Sequence, residues 1–322
     1  MPQSMANALA SAQDILLTTT ELDGDAVGAI VGLQLLIAKK WPQKAVYAVT
    51  HEALPDRYQF IVPDTALFQR PSEVDARRYD LSIVLDGDPG RLRTAEEHYQ
   101  SAALTGIIDH HKSSIDAPCH VSLHDPQAAS TTELILQLCD HLHVEVDIAI
   151  ARAIYAGLIF DTSVFRYGHT APRSLRAAAR LVETGIDHRR IVEKVLFEQS
   201  LDKVRLRGRM IDKMSIEHDG LFAWSSLSVE EVCDSETGGL VDDLVFVEGV
   251  EVGALLVERP DGSVKISFRS RGGVDVADVA QRCAKSGGGH PRAAGVTLHG
   301  SLGNVLDRMG NHVREALSRA AQ

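Results

Sequence analysis

The sequence predicts an α/β protein, with a mainly parallel sheet carrying helices on both faces, followed by a smaller α+β domain. Three observations carry this. Short β-rich runs alternate with helical patterns through the first half of the chain, as crossover-connected parallel strands require. A charged helical stretch with no strand pattern follows. Beyond it, alternating apolar segments meet at Asp261-Gly262, a strong hairpin signal. With 322 residues the chain is long enough for two cores.

Taken in order, residues 15–19 (ILLTT), 44–49 (KAVYAV), 81–85 (LSIVL) and 104–108 (LTGII) read as strands, and 26–39, 130–142, 147–160 and 171–184 as helices. In such sheets ligands gather at the carboxyl ends of the strands. Three strands run straight into acids or histidines there: Asp23 and Asp25 after the first, Asp86 after the third, Asp109-His110-His111 after the fourth. Asp161 follows the apolar helix IAIARAIYAGLIF. These elements make a domain over 1–186, and 187–216 is expected to be a helical connector. The remainder, 217–322, holds strands in GLFAWSSL and EVGALLVERPDGSVKISFRS, a helix over 275–285, the glycine run SGGGHPRAAG, a strand VTLH and a helix over 303–320.

Composition removes several function classes. A hydrophobic fraction of 44% with 24% charged residues is that of an ordinary globular protein. Cys119, Cys139, Cys233 and Cys283 form no C-x-x-C pair, so neither a zinc site nor a disulfide framework is indicated, and a cytoplasmic location is expected. The longest apolar stretch, 26–38, is interrupted by Gly28, Gly32 and Gln34 and falls short of the ~20 residues that cross a bilayer. The first residues lack the basic start and apolar core of an export signal. A net charge of −11 argues against coating long nucleic acid, where neutralising phosphates dominates. Between Arg259 and Arg292, however, seven Lys or Arg stand against three Asp, a local basic face.

Asp23, Asp25, Asp86, His110 and Asp161, with His111 beside them, form a candidate metal-ligand set. Carboxylates mixed with imidazole suit Mn²⁺, and Mg²⁺ or Fe²⁺ less well, while the lack of thiolate argues against structural zinc. So many carboxylates cannot be packed together without cations. Two divalent ions sharing one carboxylate can activate water and clamp a phosphoryl group. Singly, each motif has a plainer reading: D-G-D after a strand is often a turn and helix cap. Distribution over successive strand ends favours the metal reading.

With DGDA first, VLDGDPGRL next, then GIIDHHKSS, GLIFDTSVFRY and finally GGGHPRAAG, the chain resembles the DHH/DHHA1 phosphoesterase family. Within it, the chain is most similar to the stand-alone oligoribonuclease (nanoRNase) and 3′-phosphoadenosine 5′-phosphate phosphatase branch. The resemblance implies that Asp86 bridges two metals, that Asp25, His110 and Asp161 complete one site, that Asp23 serves the other, and that His111 faces the substrate phosphate. The family's first motif reads His-x-x-x-Asp-x-Asp, and Thr19 stands where its histidine belongs. One site thus lacks its imidazole, and His51 is the nearby candidate to replace it.

In the second domain, Gly287, Gly288 and Gly289 permit close approach of backbone N–H groups to an anion; His290 follows them, and Arg269 and Ser270 lie on KISFRSRGG. A turn needed only for folding explains one or two of those glycines. The resemblance implies that this element recognises the nucleotide, with the chemistry in a cleft between domains. Arg166 is a weaker phosphate contact, equally readable as a surface arginine.

The expected activity is metal-dependent hydrolysis of short oligonucleotides or of 3′-phosphoadenosine 5′-phosphate, by in-line attack of activated water, with Asp86 and His111 as catalytic residues. Expected partners are short single strands or nucleotides as substrate, with no long nucleic acid and no membrane, and a homodimer is compatible with this reading. The alternatives are a phosphodiesterase for the linear dinucleotides pApA or pGpG, and a catalytically impaired nucleotide-binding protein, motivated by Thr19. Inorganic pyrophosphatase is disfavoured by GGGHPRAAG.

Overall fold

In a computed structural model, residues 2–74, 78–111, 117–166, 170–232 and 237–320 are described; Cys233 lies outside them. The chain divides into two units, 1–198 and 199–322.

The first unit runs α1 (Pro2–Ser11), β1 (Asp14–Thr18), α2 (Gly24–Lys40), β2 (Ala45–Val49), β3 (Phe68–Gln69), β4 (Leu81–Leu85), α3 (Glu96–Gln100), β5 (Leu104–Asp109), β6 (Val121–His124), α4 (Thr131–His141), α5 (Ile148–Thr162), α6 (Pro172–Glu183) and α7 (His188–Val192). A π-helical turn, Glu193–Phe197, closes it. The six strands form one wholly parallel sheet in the order β3-β2-β1-β4-β5-β6. Strands alternate their side chains between faces, and β1 shows the consequence. Ile15 and Leu17 enter the main core with α2, α4 and α5, while Leu16 packs on the opposite face with Val49 and Tyr79. Every residue of β4 is buried, the continuous apolar run expected of a strand covered on both sides. A smaller cluster of Val84, Leu92, Ala95 and Tyr99 covers that second face at β4.

All four strands read from the sequence are present within a residue or so of their expected ends. The short β3, β6 and α3 were not expected, because two, four and five residues carry too little pattern to register, nor was α1, which buries only Met5, Ala6 and Leu9. Asp161 lies inside the last turn of α5 rather than after it. The neighbouring of β1 and β4 sets the functional edge, because successive strands are added on one side of β1 up to β3 and on its other side from β4 onward. Loops leaving the carboxyl ends there splay apart and leave a crevice.

The run 187–216 is shared between the units. Helix α7 and the π-turn belong to the first, and α8 (Leu201–Asp212) opens the second. There follow β7 (Ser215–Glu217), β8 (Phe222–Leu227), α9 (Val229–Val232), α10 (Val241–Val245), β9 (Val252–Glu258), β10 (Ser263–Ser270), α11 (Val276–Cys283), β11 (Gly288–His290), β12 (Ala293–His299) and α12 (Leu302–Ala320). Their sheet has the order β11-β12-β10-β9-β8-β7, parallel only between β8 and β9. Strand β9 again divides its residues: Val252, Ala254 and Leu256 pack with α11 and α12, Leu255 and Val257 with Leu206 and Met210 of α8. The Asp261-Gly262 hairpin joins β9 and β10, with Gly262 at φ 77° and Asp261 accepting from the Ser263 amide. Among the described residues no helix is long and apolar enough to cross a membrane.

Candidate metal centre

Three strand ends and one helix end converge on the crevice. β1 leads to Thr19 and to Asp23, which caps α2 by accepting from the amides of Asp25 and Ala26 at 3.0 Å each. That cap places Asp25 in the first helical turn, fully buried. β4 ends at Asp86, held at φ 55°. A left-handed backbone is tolerated by aspartate better than by most residues and is often found at functional sites. β5 delivers His110 and His111, and the last turn of α5 delivers Asp161.

Asp25, Asp86, His110 and Asp161 each offer a ligand atom within 4.8 Å of the others. A second such group comprises Asp86, Asp109, His110 and His111. His110 Nε2 lies 3.0 Å from Asp161 Oδ2 and 3.6 Å from Asp86 Oδ1. Its Nδ1 donates to the Ala128 carbonyl at 3.2 Å, which turns Nε2 toward the carboxylates, the arrangement of a metal-ligating imidazole. His111 Nδ1 donates to the fully buried Asp109 at 2.8 Å.

The electrostatics describe a site short of positive charge. Burial, with repulsion from Asp161 and Asp25, raises the Asp23 carboxyl to about 7, and burial with Asp161 raises Asp25 to about 6. Asp86 is pushed well above the usual carboxylate range by burial and by Asp25, Asp23, Asp161 and Asp109. Burial works against a charged imidazole, yet Asp161 and Asp25 outweigh it and take His110 to about 9. His111 is also raised, Asp109 overcoming burial. Buried like charges of this kind either take up protons or gather cations. The donor set, hard carboxylates with imidazole and no thiolate, fits a divalent cation.

Thr19, 2% exposed, directs its hydroxyl to the Glu21 carbonyl at 3.1 Å and lies 3.5 Å from that of Asp86. His51 does not fill the missing imidazole position: its Nδ1 is 2.8 Å from Thr94 Oγ1, and it belongs to neither ligand group among the described residues.

Residues that sequence reasoning missed hold the candidate ligands in place. The amides of Thr131 and Thr132, at the start of α4, donate to Asp25 Oδ2 and Oδ1 at 2.6 and 3.0 Å, a helix N-terminus used on a carboxylate. Thr131 Oγ1 donates to Asp86 Oδ1 at 3.0 Å. The available signal was Ser130-Thr131-Thr132-Glu133, a capping-box pattern, which marked a helix start but not what it faced. Gly157 is likewise dictated by the site, since a Cβ there would sit 2.5 Å from Asp25 Oδ1.

In the second unit Gly287 and Gly289 have structural reasons. A Cβ would meet the Ala280 carbonyl at 2.2 Å at the former and the Ala293 carbonyl at 2.5 Å at the latter, which also has φ 141°. A Cβ at Gly288 would meet nothing within 4 Å. The run is not a loop, because Gly288–His290 pair with β12 as an edge strand. Arg269 Nε is 2.7 Å from Asp242 Oδ1 and its Nη1 donates to the Phe268 carbonyl, so the fork is partly engaged within the unit. Ser270 Oγ donates to Glu251 at 3.1 Å. His290 and Arg166 are exposed.

Comparison with known proteins gives the same picture of the family. Residues 14–158 match the model of the DHH family N-terminal domain, and 226–319 match the DHHA1 domain. A bifunctional oligoribonuclease and PAP phosphatase of Thermus thermophilus is 30% identical over 312 residues, covering 94% of this chain and 90% of that one. The Bacillus subtilis protein of the same description is 27% identical, over 86% of each chain. A cyclic-di-AMP phosphodiesterase of Geobacillus thermodenitrificans is 32% identical but covers 68% of this chain and 33% of its own. In fold, the chain is similar to the crystal structure of an exopolyphosphatase-related protein from Bacteroides fragilis, with a TM-score of 0.89 at 23% identity over 100% and 97% of the two chains.

Proposed function

This chain belongs to the DHH family and carries a DHHA1 domain, and from that premise we propose that it is a Mn²⁺-dependent hydrolase of short oligonucleotides and of 3′-phosphoadenosine 5′-phosphate. The observation that carries the proposal is the convergence of Asp25, Asp86, His110 and Asp161 at the carboxyl edge of the parallel sheet. These four would hold one cation, and Asp23 with Asp86 would hold a second. Divalent cations bound there would supply charge neutralisation and an activated water.

The chain's own residues do the rest. His110, its Nδ1 fixed by the Ala128 carbonyl, presents Nε2 to the ligand set. Asp109 holds His111 through Nδ1 and favours its protonated form, and its imidazolium would neutralise a phosphate oxygen or give its proton to the leaving oxygen. Arg269, Ser270, Gly287, Gly288, Gly289 and His290 would grip the nucleotide, and Arg166 would supply a further phosphate contact. At Gly288 a Cβ would enter open space, which leaves room for a ligand to approach the edge-strand backbone. The acidic chain suits a small, end-bound substrate, for which a few local cations suffice.

The experiment is release of mononucleotide from 5′-phosphorylated dinucleotides and trinucleotides, and of phosphate from 3′-phosphoadenosine 5′-phosphate, with and without Mn²⁺. Turnover of none of these would remove the proposal and favour the impaired, nucleotide-binding reading motivated by Thr19. The similarity to cyclic-di-AMP phosphodiesterases makes pApA the second substrate to compare; faster turnover of pApA than of other dinucleotides and of 3′-phosphoadenosine 5′-phosphate would shift the assignment to dinucleotide turnover.

A further inference from the structure

Asp25, Asp86 and His110 come from three separate strand ends, yet one short segment, residues 125–133, touches all three. Thr131 and Thr132 hold the Asp25 carboxylate by their amides, Thr131 Oγ1 holds Asp86, and the Ala128 carbonyl holds His110. The segment is itself tied at both ends to one guanidinium. Arg173, in the first turn of α6, donates from Nη1 to Asp125 Oδ2 at 2.8 Å and sets its Nε 2.9 Å from Glu133 Oε1 as an ion pair without hydrogen-bond geometry. The other oxygen of Glu133 accepts from the Ala129 amide at 2.9 Å and from Ser174 Oγ at 3.2 Å. Glu133 is 4% exposed, so this pairing is screened far less than a surface one.

We propose that Thr131 and Arg173 are positioning residues of the metal centre. Thr131 fixes the rotation of the Asp86 carboxylate, and Arg173 latches the segment that carries Thr131, Thr132 and Ala128 against three ligands at once. Free carboxylates rotate about Cβ–Cγ and an imidazole flips; both motions cost ordering entropy when a cation binds. The network removes that cost beforehand, and neither residue needs to touch the cation. This inference rests on the metal site proposed above.

The test uses the full chain and four variants: Thr131→Val, Thr131→Ser, Arg173→Met and Arg173→Lys. Mn²⁺ affinity is read by calorimetry, and kcat and KM are read on a 5′-phosphorylated dinucleotide at saturating Mn²⁺. Thr131→Val is expected to weaken Mn²⁺ binding about 10–100-fold, the usual effect of removing a partner that orients a ligand, and to lower kcat with KM unchanged. Thr131→Ser, which keeps the hydroxyl, should recover most of the affinity. Arg173→Met should weaken binding similarly and Arg173→Lys recover only part, since an ammonium lacks the two-pronged geometry. Should Arg173→Met fail to fold, the Thr131 pair decides alone. Wild-type Mn²⁺ affinity in Thr131→Val, or a Ser variant no better than the Val variant, overturns the inference while leaving the metal site standing. Absence of Mn²⁺ binding by the unaltered chain removes the site and the inference together.

Discussion

His110 Nε2 and Asp161 Oδ2 lie 3.0 Å apart, joining the loop after β5 to the last turn of α5. With Asp25 and Asp86 packed beside them, the pair makes the folded chain a better proton binder than the unfolded one.

The pH dependence follows from that. Folded-state values of about 6 for Asp25, about 7 for Asp23 and about 9 for His110 all lie above the ordinary ones. The stability these groups contribute is therefore complete below their unfolded values and is lost as pH rises through the folded ones. A cation must displace the same protons. The melting temperature of the EDTA-treated chain should fall from about pH 4, where the two carboxyls begin to lose their contribution, to about pH 9, where His110 has lost its own, and the increment given by Mn²⁺ should grow over that range. An EDTA-treated melting temperature that rises across the window would contradict this reading.

Asp86→Ala should abolish turnover. Asp86 belongs to both four-residue groups at the crevice and is the carboxylate that the two proposed cation sites share. Activity measured beside a Mn²⁺ titration checks it, and wild-type turnover in this variant would end the two-metal reading.

Thr19→His should lower the Mn²⁺ concentration for half-maximal rate. The present Thr19 hydroxyl is turned to a backbone carbonyl, and a neutral oxygen is a weaker donor to Mn²⁺ than imidazole nitrogen. The unaltered chain should accordingly show one tight and one loose cation, with a rate that climbs with excess Mn²⁺. A Thr19→His chain that binds Mn²⁺ no better refutes this account of the altered motif.

Arg269→Ala and His290→Ala should each raise KM, by about 1.5–3 kcal/mol in binding per lost charged hydrogen bond, and leave Mn²⁺ affinity unchanged. Gly288→Ala should raise KM without loss of melting temperature, while Gly287→Ala and Gly289→Ala should destabilise the fold, because only at those two does a Cβ strike backbone. Unchanged KM in all of Arg269→Ala, His290→Ala and Gly288→Ala would make the glycine element purely structural.

Gly157→Ala and Gly208→Ala separate a glycine required by the site from one that is merely tolerated. At Gly157 a Cβ strikes Thr132 and Asp25, and at Gly208, inside α8, it meets nothing within 4 Å. Gly208→Ala should stabilise by about 0.5–1 kcal/mol through helix propensity, measured by denaturant unfolding. Gly157→Ala should lose both stability and Mn²⁺ affinity.

The sequence by itself determined the fold class and the four longer strands of the parallel sheet, and it nominated candidate ligands at their ends, because strand period, apolar runs and acids placed just past a strand are local signals. It also exposed Thr19 as the departure in the first motif. Tertiary structure alone decided what holds those ligands. Thr131 meets Asp25 and Asp86 across 106 and 45 residues, and Arg173 reaches back 48 to Asp125; no periodicity encodes such distances. The same holds for the glycines. GGG reads as one motif, but packing against Ala280 and Ala293 separates Gly287 and Gly289 from Gly288, because whether a Cβ fits depends on atoms brought near only by the fold.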